Sequence, residues 1–355
     1  MAAEQKGENG FSFLNRAEYF AELAENISRL KSGGRATVAT MAFMPDEPAV
    51  AKILRELCVA AKRGVAASLA VDAQIFLIND KKIPGPLFYF KELPKVMPPT
   101  FKRKLKVIKD LRAAGVKVAV TNKPARPLVN PFSGRSHIKL AVINDLVYVG
   151  GCNLTHSEDI DLMVRLSDAK IADWLYDFEQ GLDEQPSRKG VMGGQDVTLD
   201  IDNQTKILID AGVRRQSIIY ENALRLIDEA EKSLIITCQF FPNSMTAKRL
   251  LAAHRRGVKV QIYYNHPSQH GLHRPLHRLV VMPEKLRMPP EFFENELPKG
   301  ANYLHAKLLA SEKEAMVGSH NYLRAGVNFG TAETALLSRD PQFARDAIAA
   351  FKRQL

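Results

Sequence analysis

The chain carries one pattern twice, and that repetition constrains its fold more than any other feature. GRSHIKLAVINDLVYVGGCNLT runs from Gly134 to Thr155, and NYLHAKLLASEKEAMVGSHNYL runs from Asn302 to Leu323. Each reads His, one residue, Lys, a short apolar strand, a polar turn, a second strand, then a Gly-containing step and Asn. His137 and Lys139 stand to Gly150 and Asn153 as His305 and Lys307 stand to Gly318 and Asn321. Upstream, ATVATMAFMPD precedes a helical stretch ending in Arg-Gly-Val at Gly64, and SLIITCQFFPN precedes one ending in Arg-Gly-Val at Gly257. The step from Gly64 to Asp72 equals that from Gly257 to Asn265, and both halves carry Met-Pro-Pro further on. The landmarks keep their order, so the chain reads as two homologous lobes.

Alternating strand and helix patterns place each lobe in the α/β class, with a mixed, mostly parallel sheet flanked by helices. Each His–Lys stretch reads as a hairpin, turning at Asn144-Asp145 and near Glu312-Lys313-Glu314. The first lobe has an additional helix and strand, KVIKDLRAAGVKVAVTNK, that the second lacks. The boundaries drawn on this basis are an N-terminal helical segment at 1–34, a first lobe at 35–183, a polar Gly-rich linker at 184–197, and a second lobe at 198–355. The N-terminal helix is read as packing.

Residues two apart on a strand share a face, so His137 lies beside Lys139 and His305 beside Lys307. A pseudo-twofold between the lobes brings both pairs to one interface. Two imidazoles and two ammonium groups suit displacement at a phosphodiester. One imidazole attacks phosphorus and forms a covalent phosphohistidine, and the other protonates the leaving oxygen. The lysines offset charge on the equatorial oxygens, so the reading assigns no metal and no cofactor.

This pattern resembles the phospholipase D superfamily, whose signature is His-x-Lys-x4-Asp followed by Gly-Ser-x-Asn. The resemblance runs from about Arg35 to Phe351. It implies one site between two α/β lobes, with His137, Lys139 and Asn153 from the first motif and His305, Lys307, Ser319 and Asn321 from the second. It also implies that Asp161 and Glu333 are the carboxylates that bind a histidine across the interface, and that the N-terminal motif supplies the nucleophile, His137. The chain departs from the signature in three places. Asn144, followed by Asp145, replaces the first motif acid, Glu312 replaces the second, and Gly151 replaces the first serine.

A net charge of +11 favours anionic partners. Three cysteines form no disulfide framework, and no apolar run approaches the roughly 20 residues that span a bilayer. These features imply a cytoplasmic protein, with peripheral contact at the inner membrane face as an option. The resemblance and the Gly-Gly-Cys-Asn form of the first motif favour a phospholipid substrate, by hydrolysis or by cardiolipin-synthase-like transfer. The alternatives are a nuclease or DNA-repair phosphodiesterase, for which the basic charge speaks, and a non-catalytic anion-binding scaffold, against which both intact His–Lys pairs speak. Two lobes on one chain need no oligomer to complete the site. The aromatic, Pro-rich stretch from Leu87 to Met97 and its counterpart VVMPEKLRMPPEFF are the expected substrate rim. His266, His270, His273 and His277 read as solvated loop residues, since no cysteine accompanies them. Arg135 reads as added phosphate-binding charge.

Overall fold

Both copies of the repeat become seven-stranded sheets in the computed structural model, which describes residues 10–73, 99–122, 134–182, 194–269, 284 and 286–355. The first sheet holds β1 (Ser12–Leu14), β2 (Arg35–Thr40), β3 (Ala66–Asp72), β4 (Lys117–Thr121), β5 (Leu140–Ile143), β6 (Leu146–Gly150) and β7 (Met163–Ser167), in the order β1-β7-β6-β5-β2-β3-β4. The second holds β8 (Val197–Asp200), β9 (Thr205–Asp210), β10 (Ser233–Thr237), β11 (Lys259–Tyr263), β12 (Leu308–Ser311), β13 (Ala315–Gly318) and β14 (Glu333–Ser338). Its order from the far edge is β8-β9-β14-β13-β12-β10-β11. Six strands correspond one to one, β1 with β9 and β7 with β14 among them. β4 is extra in the first lobe and β8 in the second.

The sheets are mixed, but antiparallel pairs predominate, which corrects the expected parallel majority. Among the described strands, only β2–β3, β3–β4 and β10–β11 pair in parallel. Each His–Lys hairpin, the strand after it and the next strand beyond run alternately up and down. Parallel pairing is confined to the strands joined through a helix.

The helices are α1 (Arg16–Arg29), α2 (Pro48–Lys62), α3 (Pro99–Ala113) and α4 (Ala169–Gln180) in the first lobe. The second lobe has α5 (Ile218–Glu229), α6 (Ser244–Arg255), α7 (Arg324–Phe329) and α8 (Pro341–Lys352). Asn15 and Glu18 form a capping box at the start of α1, each side chain satisfying the other's backbone N–H at 2.9 and 2.8 Å. Gly64 and Gly257, at φ +86° and +91°, end the turns after α2 and α6 in the left-handed region, where a Cβ is penalised. The repeated Arg-Gly-Val is therefore a helix stop feeding a strand.

α1, α2 and α3 cover one face of the first sheet, and α5 and α6 cover one face of the second. The remaining two faces share a single core with α4 and α8, formed by Leu140, Val149 and Leu175 with Leu308, Val317 and Ala347 among others. Phe343 of α8 meets Phe11 edge to face and Phe13 at a tilt, with ring centroids 5.4 and 4.9 Å apart, so the second lobe's last helix packs on the first lobe's edge strand. Burial of aromatic side chains of this size contributes about 2–3 kcal/mol each. The lobes are thus fused by apolar packing.

Two sequence boundaries shift. β1 pairs with β7, and α1 packs on the face that α2 covers, so residues 12–29 belong to the first lobe rather than to a separate segment. Val197 begins β8 and Asp196 accepts from Ala211 and Ile218, so the chain is structured before the expected linker ends; 183–193 lie outside the described residues. No helix among the described residues is long and apolar enough to cross a membrane.

Candidate active site

Each histidine lies in the extended approach to a hairpin: His137 three residues before β5, His305 three before β12. The residue preceding each is clamped from the end of a parallel strand. Asp72, at the end of β3, accepts from Ser136 N at 2.7 Å, and Asn265, just after β11, accepts from Leu304 N at 2.8 Å. Equal spacing from Gly64 and Gly257 thus places two equivalent anchors. Ile138 and Ala306, between His and Lys, enter the shared core and leave His and Lys on the other face.

The lobes then cross-link reciprocally. Ser136 bridges Ala332, and Leu304 bridges Ile160, both in parallel. His137 N donates to Ala332 O and His305 N to Ile160 O, each at 2.8 Å. The next residue in each partner strand is a carboxylate. His137 Nδ1 lies 2.8 Å from Glu333 Oε2, and His305 Nδ1 lies 2.7 Å from Asp161 Oδ2. Bonding at Nδ1 to a carboxylate assigns the proton there and leaves Nε2 for a reacting group. Backbone pairing alone therefore aims each imidazole at a partner from the opposite lobe.

All four basic groups are buried, His137 and His305 at 8% and 7% exposure and Lys139 and Lys307 at 0% and 1%. Burial and neighbouring Lys139 and Lys307 hold His137 well below its usual value, and burial and Lys307 do the same to His305. Burial pushes Lys139 down to about 7 and Lys307 to about 8, partly countered by Glu333 and Asp161. Lys139 Nζ donates to His137 O at 2.9 Å. Lys307 Nζ reaches His305 O and lies 2.8 Å from His305 Nδ1. The lysines thus act on both histidines from within a desolvated site, where an anionic phosphate would favour their charged forms.

The supporting residues divide by lobe. Ser319 Oγ donates to Glu333 Oε2, while Gly151 stands at the corresponding place in the first motif. A Cβ at Gly151 would overlap Asp161 Oδ1, so this position must be glycine for the carboxylate to sit where it does. Asn153 is buried with Oδ1 3.4 Å from Thr40 Oγ1. Asn321 Oδ1 is buried and makes no hydrogen bond among the described residues. His320 is buried and accepts from Tyr322 N at 2.9 Å.

The departures at the motif acids are structural. Asn144, in the left-handed region at φ +50°, accepts from Arg35 N at 3.1 Å and pins the start of β2. Glu312 accepts from the backbones of Glu231, Lys232 and Ser233 at 3.1–3.2 Å and pins the start of β10. Asp145 is exposed, and its carbonyl accepts from Asp168 N at 3.0 Å. Either motif acid anchors a turn, so neither substitution touches the histidines.

Arg135 is a correction: it is 3% exposed and lies 3.0 Å from Asp72 Oδ1, an ion pair that braces the approach to His137. His266 bonds Ser268 at 2.6 Å; His270, His273, His277 and the stretch from Leu87 to Met97 lie outside the described residues. Two contributors escaped the sequence reading. Arg16, fully buried at the start of α1, binds Asp161 Oδ2 at 2.5 Å. A cation in a helix's first turn opposes the macrodipole, which was the available signal. Gln354 holds the backbone of Asp161 from both sides, accepting from its N at 3.2 Å and donating to its O at 3.0 Å.

Comparisons with known proteins agree with this two-lobe fold. The family described as "Cardiolipin synthase, PLD-like domain" matches residues 27–180 and 223–355. The phosphatidylserine synthase of Haemophilus influenzae superposes with a TM-score of 0.69 at 16% identity, over 98% of this chain and 86% of that one. The polyphosphate kinase of Porphyromonas gingivalis superposes with a TM-score of 0.57 at 12% identity, over 99% of this chain and 51% of that one. At these identities the two structures speak for the fold alone. No curated protein sequence matches. The family match spans both lobes and both His–Lys motifs: this chain belongs to the phospholipase D-like family of the cardiolipin synthase type.

Proposed function

We propose that the protein is a phosphodiesterase or phosphatidyltransferase that works through a covalent phosphohistidine on a phospholipid. One observation carries the reading: each histidine is held at Nδ1 by a carboxylate of the opposite lobe, with a buried lysine two residues on. A phosphodiester between the two free Nε2 atoms would meet a nucleophile on one side and a proton donor on the other. Nε2 attack forms the P–N bond as the P–O bond to the leaving group breaks, and the second imidazole gives that oxygen its proton. Water or an alcohol then attacks phosphorus, returns its proton to the second imidazole and releases the histidine. Lys139, Lys307 and the amide of Asn321 would meet the non-bridging oxygens.

The family match to a cardiolipin-synthase type supports a lipid substrate. The net charge of +11 supports a nucleic acid as the second reading, and supports contact with an anionic surface under the first. The discriminating experiment incubates purified protein with vesicles of phosphatidylglycerol and phosphatidylethanolamine and, separately, with single- and double-stranded DNA, followed by mass spectrometry of the products. Free headgroup, phosphatidic acid or a transferred phosphatidyl group supports the lipid reading. DNA cleavage with intact lipid replaces it, and turnover of neither with both His–Lys pairs intact leaves the anion-binding scaffold.

A further inference from the structure

The rim of the site is built unequally by the two lobes. In the first, a single residue, Asn15, joins β1 to α1; in the second, seven residues, 211–217, join β9 to α5. Seven residues separate Asn153 from Asp161, while eleven, α7 among them, separate Asn321 from Glu333. Holding a histidine requires neither extension, because Asp161 reaches His305 from the shorter of the two connections.

Both extensions carry positive charge alone. Arg214, Arg215 and Arg324 are exposed, and no Asp or Glu lies in 211–220 or in 321–332. The first lobe's counterpart, 154–160, holds Glu158 and Asp159 and no Lys or Arg. The two extensions also make one surface. Arg215 N donates to Val327 O at 2.8 Å. The loops approach so closely that a Cβ at Gly330 would fall 2.5 Å from Gly212 O. Arg215 sits in the left-handed region at φ +68°, which few residues with a Cβ adopt. Phe329, at the end of α7, is one of four large apolar residues exposed on the described surface. This surface borders the mouth of the site. Phe329 O accepts from Gly134 N at 3.0 Å, and Ala332 O accepts from His137 N at 2.8 Å, so 329–332 run beside the approach to the first histidine.

We propose that α7 and the 211–216 loop dock the protein on an anionic phospholipid surface, with Arg214, Arg215 and Arg324 against headgroup phosphates and Phe329 entering the apolar boundary beneath them. This rests on the phospholipid reading above and adds where the bilayer lies. An apolar ring set among cations matches a surface that carries acyl chains under a layer of anionic headgroups. A nucleic acid duplex offers the charge without the apolar layer. Docked this way, the second lobe's side of the mouth faces the bilayer, and a phosphodiester enters from the membrane rather than from solution.

The test sediments purified protein with vesicles of phosphatidylglycerol and phosphatidylethanolamine and, separately, with vesicles of phosphatidylcholine alone. Wild type should bind the anionic vesicles and release them at high salt. Each arginine near such a surface contributes about a fivefold gain in partitioning. The patch triple Arg214→Gln, Arg215→Asn, Arg324→Gln should therefore bind about a hundredfold more weakly; asparagine at 215 suits the left-handed backbone. A control triple on the exposed face of α2, Lys52→Gln, Arg55→Gln, Lys62→Gln, removes the same charge and should bind like wild type. Both triples should turn over a soluble activated aryl phosphodiester at the wild-type rate. Phe329→Trp reports insertion directly: its emission should shift to the blue on anionic vesicles, against the background of the single native tryptophan, Trp174. Equal loss of binding in both triples, wild-type binding by the patch triple, unmoved emission from position 329, or patch-dependent binding to single-stranded DNA with none to vesicles would overturn the proposal. Should the patch triple not fold, the Phe329→Trp spectrum and the control triple decide. Patch-dependent vesicle binding in a protein that turns over no phosphodiester would sink the proposed function and leave the docking surface standing. Lipid turnover with vesicle binding indifferent to the patch would do the reverse.

Discussion

Ser319 fills the space beside Glu333 and bonds it, while Gly151 leaves the same space empty of side chain and lets Asp161 close in. Asp72 anchors the approach to one histidine and Asn265 the approach to the other. Asn144 pins one hairpin to β2, and Glu312 pins the other to β10. What the two half-sites share is backbone: a clamp, a parallel bridge between lobes, and a carboxylate one residue past the bridge. What differs is the side chains that complete each carboxylate. Geometry carried by main-chain pairing tolerates this divergence, because a ladder's register does not depend on which polar group finishes it.

The largest contrast should come from the carboxylates. Asp161→Asn leaves Arg16 buried beside Asp159 alone, and breaking a buried ion pair costs about 3–5 kcal/mol. Glu333→Gln keeps neutral hydrogen bonds to Ser319 and His137 and should cost about 1 kcal/mol. Both should lower turnover by roughly 10²-fold or more, since each mis-sets an acid–base histidine. Denaturant midpoints and initial rates measured on the pair check this; equal stability losses would erase the distinction between the half-sites.

Exchanging the small residues comes next. Gly151→Ser should displace Asp161 and cost about 1–3 kcal/mol by overpacking, with a fall in rate. Ser319→Gly should cost about 1 kcal/mol through one lost hydrogen bond. A Gly151→Ser protein as stable and active as wild type would show that the first half-site accepts the second's solution.

The lysines sharpen the comparison through pH. With Lys139 lowered to about 7 and Lys307 to about 8, each is charged below its value and neutral above it. kcat/KM, which reports the free enzyme, should fall as pH rises through 7 to 8, steepening where the second lysine also deprotonates. A plateau through pH 9 would mean that neither lysine's charge is needed before substrate binds. The smallest effect belongs to the motif acids. Asn144→Asp restores the family's residue at a turn remote from the histidines and should change stability by about 0.5 kcal/mol or less, with unchanged rate.

The repeat, the hairpins and the helix stops were legible because they are local: hydrophobic period, turn residues and Gly positions lie within a few tens of residues. Strand direction is not encoded in period, which is why the antiparallel majority had to come from the structure. Asp161 and Glu333 were reached only through family resemblance, since nothing in their own neighbourhoods marks them. Arg16 is separated from Asp161 by 145 residues, and Arg135 from Asp72 by 63. One was read as part of a packing helix and the other as free charge, because a buried partner that distant leaves no trace in sequence spacing.

The reciprocal bridges between the lobes also bear on how the molecule is made. His137 and Glu333 are 196 residues apart in the chain, and His305 and Asp161 are 144 apart. Contacts of such long range form late, after the loop-closure entropy of the intervening chain has been overcome. Each hairpin and its flanking helices can form from local contacts, whereas the imidazole–carboxylate pairs appear only when the lobes dock. Refolding followed by circular dichroism should therefore run ahead of recovered activity. The interval between the two would be the lifetime of a chain that has its sheets and not yet its chemistry, with the apolar faces that later enclose α4 and α8 still open to wrong partners.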